Sequence, residues 1–181
     1  EIVWYASPER KKHVIARNLT LRDNVCIAAR DLDGDGKVEI AVGANWNPGE
    51  TSDPEKSGSV HYLLRPEDGT GPWKEVRLPN EPTVHRMRWV RDSAGSYQLV
   101  VLPLHGRGNV NGAGENGVKI YAYAPPADPA NVSQWKTTLL DDSLHMTHNF
   151  DVWESESGPE TMLIGGREGA ITVRLSRPGE S

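Results

Sequence analysis

The stretch Asp31-Leu32-Asp33-Gly34-Asp35-Gly36-Lys37-Val38-Glu39 constrains this chain more than any other. Acidic side chains at 31, 33, 35 and 39 converge only if the backbone coils round a point between them. Gly34 and Gly36 supply the positive φ that such coiling needs. Carboxylates held this close repel one another unless a cation sits among them. All-oxygen ligation selects a hard ion, and a flexible loop with several carboxylates suits Ca2+ better than Mg2+. The expected ligands are the side chains of Asp31, Asp33, Asp35 and Glu39, with the Lys37 carbonyl filling the gap.

An EF-hand also opens D-x-D-G-D-G, but it needs a bidentate Glu at loop position 12 and a helix on each side. Position 12 here is Val42, and the flanks Val25-Cys26-Ile27-Ala28-Ala29 and Val38-Glu39-Ile40-Ala41-Val42 read as strands. An Asp-Gly hairpin turn without a metal is the plainer alternative. The strand–acidic loop–strand unit resembles the FG-GAP/VCBS repeat of β-propeller proteins, in which the residues matching 31, 33, 35, 37 and 39 hold Ca2+. That family more often has Asp where Glu39 stands.

Sliding the chain against itself reveals a repeat. Val25-Cys26 aligns with Val84-His85 at offset 59 and with Thr147-His148 at offset 122. The second strands follow in step: Ile40-Ala41-Val42, Leu99-Val100-Val101 and Met162-Leu163-Ile164. The turn glycine recurs as Gly36, Gly95 and Gly158, but the acidic positions do not, so the hairpin is general and the metal cage local. Third strands follow at 59–64, 117–123 and 170–174, and fourth strands at 73–78 and 135–140. Ile2-Val3-Trp4-Tyr5 and His13-Val14-Ile15-Ala16 read as the last two strands of an earlier unit. Four antiparallel strands in about 60 residues is the arithmetic of a propeller blade.

The expected fold is therefore all-β, a β-propeller segment of four-stranded antiparallel blades filling 1–181. The blades divide as 1–20, 21–79 with the metal loop, 80–141, and a partial 142–177. About three blades' worth of strands is present where closed rings hold about 4–8, so the expectation is part of a larger ring, seven-bladed for example. The remainder would come from a longer chain or from other copies.

A net charge of −5 gives no basic face for nucleic acid, and no apolar run is long enough to span a membrane. With Cys26 the only cysteine, no internal disulfide forms. The Ca2+ loop points weakly to a secreted or periplasmic setting, where modest affinity suffices.

In a blade the first strand lines the channel, and the loops before strand 1 and between strands 2 and 3 overhang one mouth. That rule collects four of the six histidines: His85 and His148 on inner strands, His145 on an entry loop and His105 on an overhanging loop. Trp46, Arg86 and Arg107 fall in the same zone. Imidazoles, guanidiniums and an indole suit an anionic or polyhydroxylated ligand. His13 and His61, in outer strands, read as surface residues.

The segments Glu81–Trp89, Pro103–Asn109 and Leu144–Asn149 resemble the propeller of aldos-2-ulose dehydratase-like proteins and of rhamnose–glucuronate polysaccharide lyases. The resemblance implies a carbohydrate site at the mouth, with His85, His105, Arg107 and His148 as catalytic residues. Trp46, Arg86 and His145 would then bind substrate, and a second divalent metal could sit in the channel. The implied chemistry is β-elimination from a uronate or ketosugar by a carbon–oxygen lyase or dehydratase. A propeller that binds a glycan or a protein without turning it over is the competing expectation.

Overall fold

Short runs rich in β-branched and aromatic residues, punctuated by glycine and proline, form thirteen strands in the computed structural model, which describes residues 1–67, 69 and 71–177. They are β1 (Ile2–Ala6), β2 (Lys11–Ala16), β3 (Cys26–Arg30), β4 (Glu39–Ala44), β5 (Ser59–Leu64), β6 (Lys74–Leu78) and β7 (Val84–Arg91). There follow β8 (Tyr97–Pro103), β9 (Ile120–Ala124), β10 (Lys136–Asp141), β11 (Thr147–Trp153), β12 (Thr161–Gly166) and β13 (Gly169–Arg174). A single 3-10 turn, Val132–Gln134, is the only helical element among the described residues. None is long and apolar enough to cross a membrane.

The strands make four antiparallel sheets in chain order, β1-β2, β3-β4-β5-β6, β7-β8-β9-β10 and β11-β12-β13. Consecutive strands of each sheet pair in order, as in propeller blades, with long loops from β4 to β5 and from β8 to β9. The turn glycines behave alike, with φ of 82° at Gly36, 84° at Gly95 and 84° at Gly158. The first strands β3, β7 and β11 lie side by side, and residues from all three line a cavity of about 570 Å3.

The third strand of the second full sheet begins at Ile120 rather than at Gly117. Val118 N–H donates instead to Leu144 O at 2.6 Å. A Cβ at Gly117 would overlap the Asp142 carbonyl. Residues 117–119 thus follow the chain entering β11 before they join their own sheet.

The two middle sheets are apolar on both faces because each has a sheet on either side. Ile2, Ile15, Ile40, Val42 and Leu63 fill the first interface. Tyr62, Val84, Met87 and Trp89 fill the second, and Val100, Leu102, Phe150, Met162 and Ile164 the third. Tyr62 meets Trp89 and Trp135 edge-on at centroid distances of 6.2 and 5.4 Å, contacts worth about 0.5–1.5 kcal/mol each beyond area burial.

One ion pair ties three sheets together. Glu160, just before β12, is wholly buried. Arg30, at the end of β3, reaches both its oxygens, Nη2 to Oε1 at 2.7 Å and Nη1 to Oε2 at 3.1 Å. Arg91 N–H of β7 donates to Oε2 at 2.9 Å, and Arg30 Nη1 also donates to Trp89 O at 3.3 Å. The Tyr97 ring supports the guanidinium at 4.5 Å. A bidentate, fully partnered geometry of this kind is what a buried charge requires.

Candidate functional site

Two constellations sit at opposite ends of the inner strands. The acidic loop joins the end of β3 to β4. Gly34 and Gly36 have φ of 81° and 82°, as the coiling requires. Asp31 accepts N–H bonds from Gly34 (2.8 Å) and Gly36 (2.9 Å), Asp33 from Asp35 (3.1 Å), and Glu39 from Leu32 (2.8 Å). Oxygens of Asp31, Asp33 and Glu39 lie within 4.8 Å of one another. The Gly36 N–H chief among its donors holds the Asp31 carboxyl below its usual range. Burial, reinforced by the charges of Asp33, Asp35 and Asp31, pushes Glu39 up. Asp35 stands outside this group: it accepts from Lys37 N–H at 2.8 Å and faces the Lys37 ammonium at 3.4 Å.

The second hairpin provides an internal control. At offset 59, Asp92 and Gln98 replace Asp33 and Glu39. Asp92 accepts from Ala94 N–H at 2.9 Å, the counterpart of the Asp35-to-Asp33 bond, and from Ser96 N–H at 3.0 Å. Its other oxygen takes the Gln98 side-chain amide at 3.0 Å. Where the second hairpin closes with a neutral donor, the first presents two anions. Three carboxylates with no such donor form an all-oxygen set that fits a hard divalent cation.

The other constellation is set by two β-bulges. In β7, Val84 pairs with Pro103 and Arg86 with Leu102, leaving His85 as the extra residue. In β11, Thr147 pairs with Gly166 and Asn149 with Gly165, leaving His148 as the extra residue. The matching place in β3, Cys26 opposite Gly43, is regular. A bulge re-aims the side chain it carries. The two imidazoles meet at a centroid distance of 4.8 Å and an interplanar angle of 59°. Trp46, just beyond β4, stacks on His85 at 5.1 Å and 30°.

His85 is only 7% exposed, and its Nε2 has no partner. Burial, aided by the charge of Arg86 and then by His148 and His105, brings its pKa down to about 4. Arg86 Nη1 donates to His85 O at 2.9 Å. His105 is half-buried with Nδ1 unpartnered, and burial lowers its pKa also.

Behind them stands Thr83, which the sequence did not single out. It is fully buried, has φ of 57°, and its N–H donates to Ser57 Oγ at 3.1 Å. Its hydroxyl accepts His105 N–H at 3.1 Å and its carbonyl accepts Leu104 N–H at 2.8 Å. A buried non-glycine residue with positive φ is the signal of a backbone held for a purpose, and it is visible only in coordinates.

The remaining expected residues are drawn elsewhere. Arg107 Nε donates to Glu81 at 2.9 Å. His145 Nδ1 meets Glu168 at 3.0 Å, and its N–H donates to the other oxygen at 3.2 Å. Among the described residues, the acidic trio is the one group whose ligand atoms converge on a common point. The histidine rings of the mouth do not bring three nitrogens together for a second metal.

His61 is not a surface residue. It is 1% exposed, with Nδ1 at 2.7 Å from Glu75 Oε1 and Nε2 at 2.7 Å from Ser59 Oγ. The order Ser–His–carboxylate copies a hydrolase triad, but Ser59 is as buried as His61. No substrate carbonyl reaches it, and the chain of bonds serves to satisfy buried polar atoms.

Comparison with known protein families identifies an FG-GAP repeat over residues 27–63, spanning most of β3, the acidic loop, β4 and most of β5. No curated protein matches the chain significantly.

Proposed function

We propose that this chain is part of a carbohydrate-directed β-propeller, with a structural Ca2+ in the loop 31–39 and a site for an acidic or keto sugar at the mouth. The observation that carries the reading is the bulged pair His85 and His148, brought together beneath Trp46 with a buried, unpartnered Nε2. An unsatisfied buried nitrogen beside an aromatic ring favours a ligand that brings its own hydroxyls and an apolar face. Asp31, Asp33 and Glu39, with the Lys37 carbonyl, would hold the calcium, which supplies charge balance to the loop and takes no part in chemistry. This pairing of a calcium loop with a sugar-facing mouth also fits a secreted or periplasmic setting.

The reaction that suits the mouth is β-elimination. A proton leaves the carbon next to a carboxylate or ketone, the electron pair forms the new double bond, and oxygen departs from the β carbon. His105, neutral near physiological pH, is the candidate base. His85, with a pKa of about 4, is too weak a base for that role and serves as a neutral hydrogen-bonding group. Arg86, beside His85, meets the enolate charge better than Arg107, whose charge is shared with Glu81. His148 protonates the leaving oxygen, and Trp46 stacks on a sugar face.

The test is incubation with acidic oligosaccharides and with ketosugars while following the ultraviolet absorbance of the unsaturated product. Activity that falls about a hundredfold or more in His105→Ala supports the assignment; unchanged turnover in that variant refutes it. Saturable glycan binding with no product supports the second reading, a glycan-binding propeller, which the exposed position of His148 and the tethering of Arg107 favour.

A further inference from the structure

His85 is enclosed by residues from three adjacent sheets. It lies on β7, Trp46 from beyond β4 stacks on its ring at 5.1 Å, and His148 of β11 meets it at 4.8 Å. Only 7% exposed, and with burial chief among the causes that hold its pKa at about 4, the ring is neutral at neutral pH. A neutral imidazole carries one proton, on Nδ1 or on Nε2, and the partner of one nitrogen decides the state of the other.

Arg86 is that partner. Its Nη1 carries two hydrogens: one is donated to His85 O at 2.9 Å and the other faces Nδ1 at 3.4 Å. A guanidinium only donates, so the nitrogen it faces must present a lone pair. The proton then lies on Nε2, which is buried and has no partner among the described residues. A buried donor left unmatched is costly, and it marks where a ligand atom completes the set. The neighbours whose charge acts most on the ring are Arg86, His148 and His105, and no carboxylate stands among them.

We infer that Arg86 is a positioning residue that fixes His85 in the Nε2–H tautomer, so that the mouth offers a buried N–H to a carboxylate oxygen of its ligand. The choice of carboxylate rests on the acidic-sugar reading of the mouth; the role of Arg86 does not. A carboxylate oxygen only accepts, and it suits a donor with a guanidinium beside it. A hydroxyl would bring a proton that the guanidinium cannot take.

The test is a proton–nitrogen correlation spectrum of the imidazole rings at neutral pH, with the His85 signals assigned by their loss in His85→Gln. Native His85 should show Nε2 protonated and Nδ1 bare. Arg86→Met keeps the stem and removes every donor, so the two tautomers should mix and the two nitrogen shifts move toward each other. Arg86→Lys restores a cationic donor and should return the ring to Nε2–H, a rescue that a side chain needed only for packing would not give. Methyl glucuronide should shift Nε2 of the native chain saturably, and methyl glucoside, its uncharged counterpart, should bind at least about tenfold more weakly, as expected for one lost charged contact. A bare Nε2 in the native chain, which needs no substitution to observe, or shifts that Arg86→Met leaves unchanged, would overturn the role of Arg86 whatever the mouth binds. The expected tautomers with no response to the glucuronide would uphold that role and overturn the carboxylate, and with it the acidic-sugar reading.

Discussion

Gln98 donates its side-chain amide to Asp92 at 3.0 Å, in the place where the preceding hairpin sets Glu39 beside Asp33. One hairpin closes itself with a neutral donor and the other leaves anions in close company. The two share the positive-φ glycine, Gly36 and Gly95, and differ in the group that faces the carboxylate at 33 and 92.

Glu39→Gln should therefore convert the first loop to the self-closing kind. If the proposed calcium site is occupied in the native chain, calcium at a hundredfold excess over its Kd should add about 2.7 kcal/mol, and chelator should remove it as a drop of several degrees in Tm. The variant should show no calcium-dependent Tm, while its stability in chelator equals or exceeds that of the native chain. Thermal melts with calcium and with chelator read both. A calcium response that survives the substitution would mean that Glu39 is not a ligand.

His85 makes stability depend on pH. Its folded pKa of about 4 lies below the ordinary imidazole value, so the unfolded chain takes up the proton first as pH falls. The stabilisation is complete above the unfolded pKa of about 6.5 and is lost as pH falls towards about 4, an effect of about 3 kcal/mol. His61, lowered chiefly by burial, works in the same direction. Urea unfolding across that interval should show the slope, and His85→Gln should flatten it. An equal slope in the variant would assign the effect elsewhere.

Arg30→Ala leaves the Glu160 carboxylate buried without its charge partner. Such a loss costs about 3–5 kcal/mol, far more than removal of an exposed pair such as Lys56 with Asp53, worth at most about 1 kcal/mol. Equilibrium denaturation of Arg30→Ala against Lys56→Ala compares them directly, and similar losses would contradict the account.

Gly58→Ala should damage the mouth from behind. Gly58 has φ of 75°, and a Cβ there would stand 2.9 Å from both Glu81 O and Val84 N. The backbone entering β7 must shift to admit it, at a cost of about 1–3 kcal/mol, and His85 shifts with it. Ring-current shifts between His85 and His148 should change in the variant, while the calcium response of the distant loop stays as it was.

Most strands could be read from the sequence because β-branched runs alternate with glycine turns at a fixed spacing, and because the hairpin recurs. The start of a third strand is least legible where the chain leaves its own ladder, as at 117–119, where Val118 N–H donates to Leu144 O. The convergence of Asp31, Asp33 and Glu39 followed from their spacing and the two glycines. The turning of Asp35 to Lys37 did not, because it depends on a local choice of side-chain direction. His61 reads as a surface residue in the sequence because its partner Glu75 lies on the neighbouring strand. The position of His85 and His148 near each other followed from the repeat, but the bulges that aim them did not. A bulge is one residue of slack in the pairing, and composition carries no mark of it.

Those two bulges have a consequence for how such a mouth changes over time. The aim of each side chain is written in strand pairing, so whatever residue occupies positions 85 or 148 inherits the same heading. New chemistry can be tried there one substitution at a time, with the hairpins indifferent to the outcome.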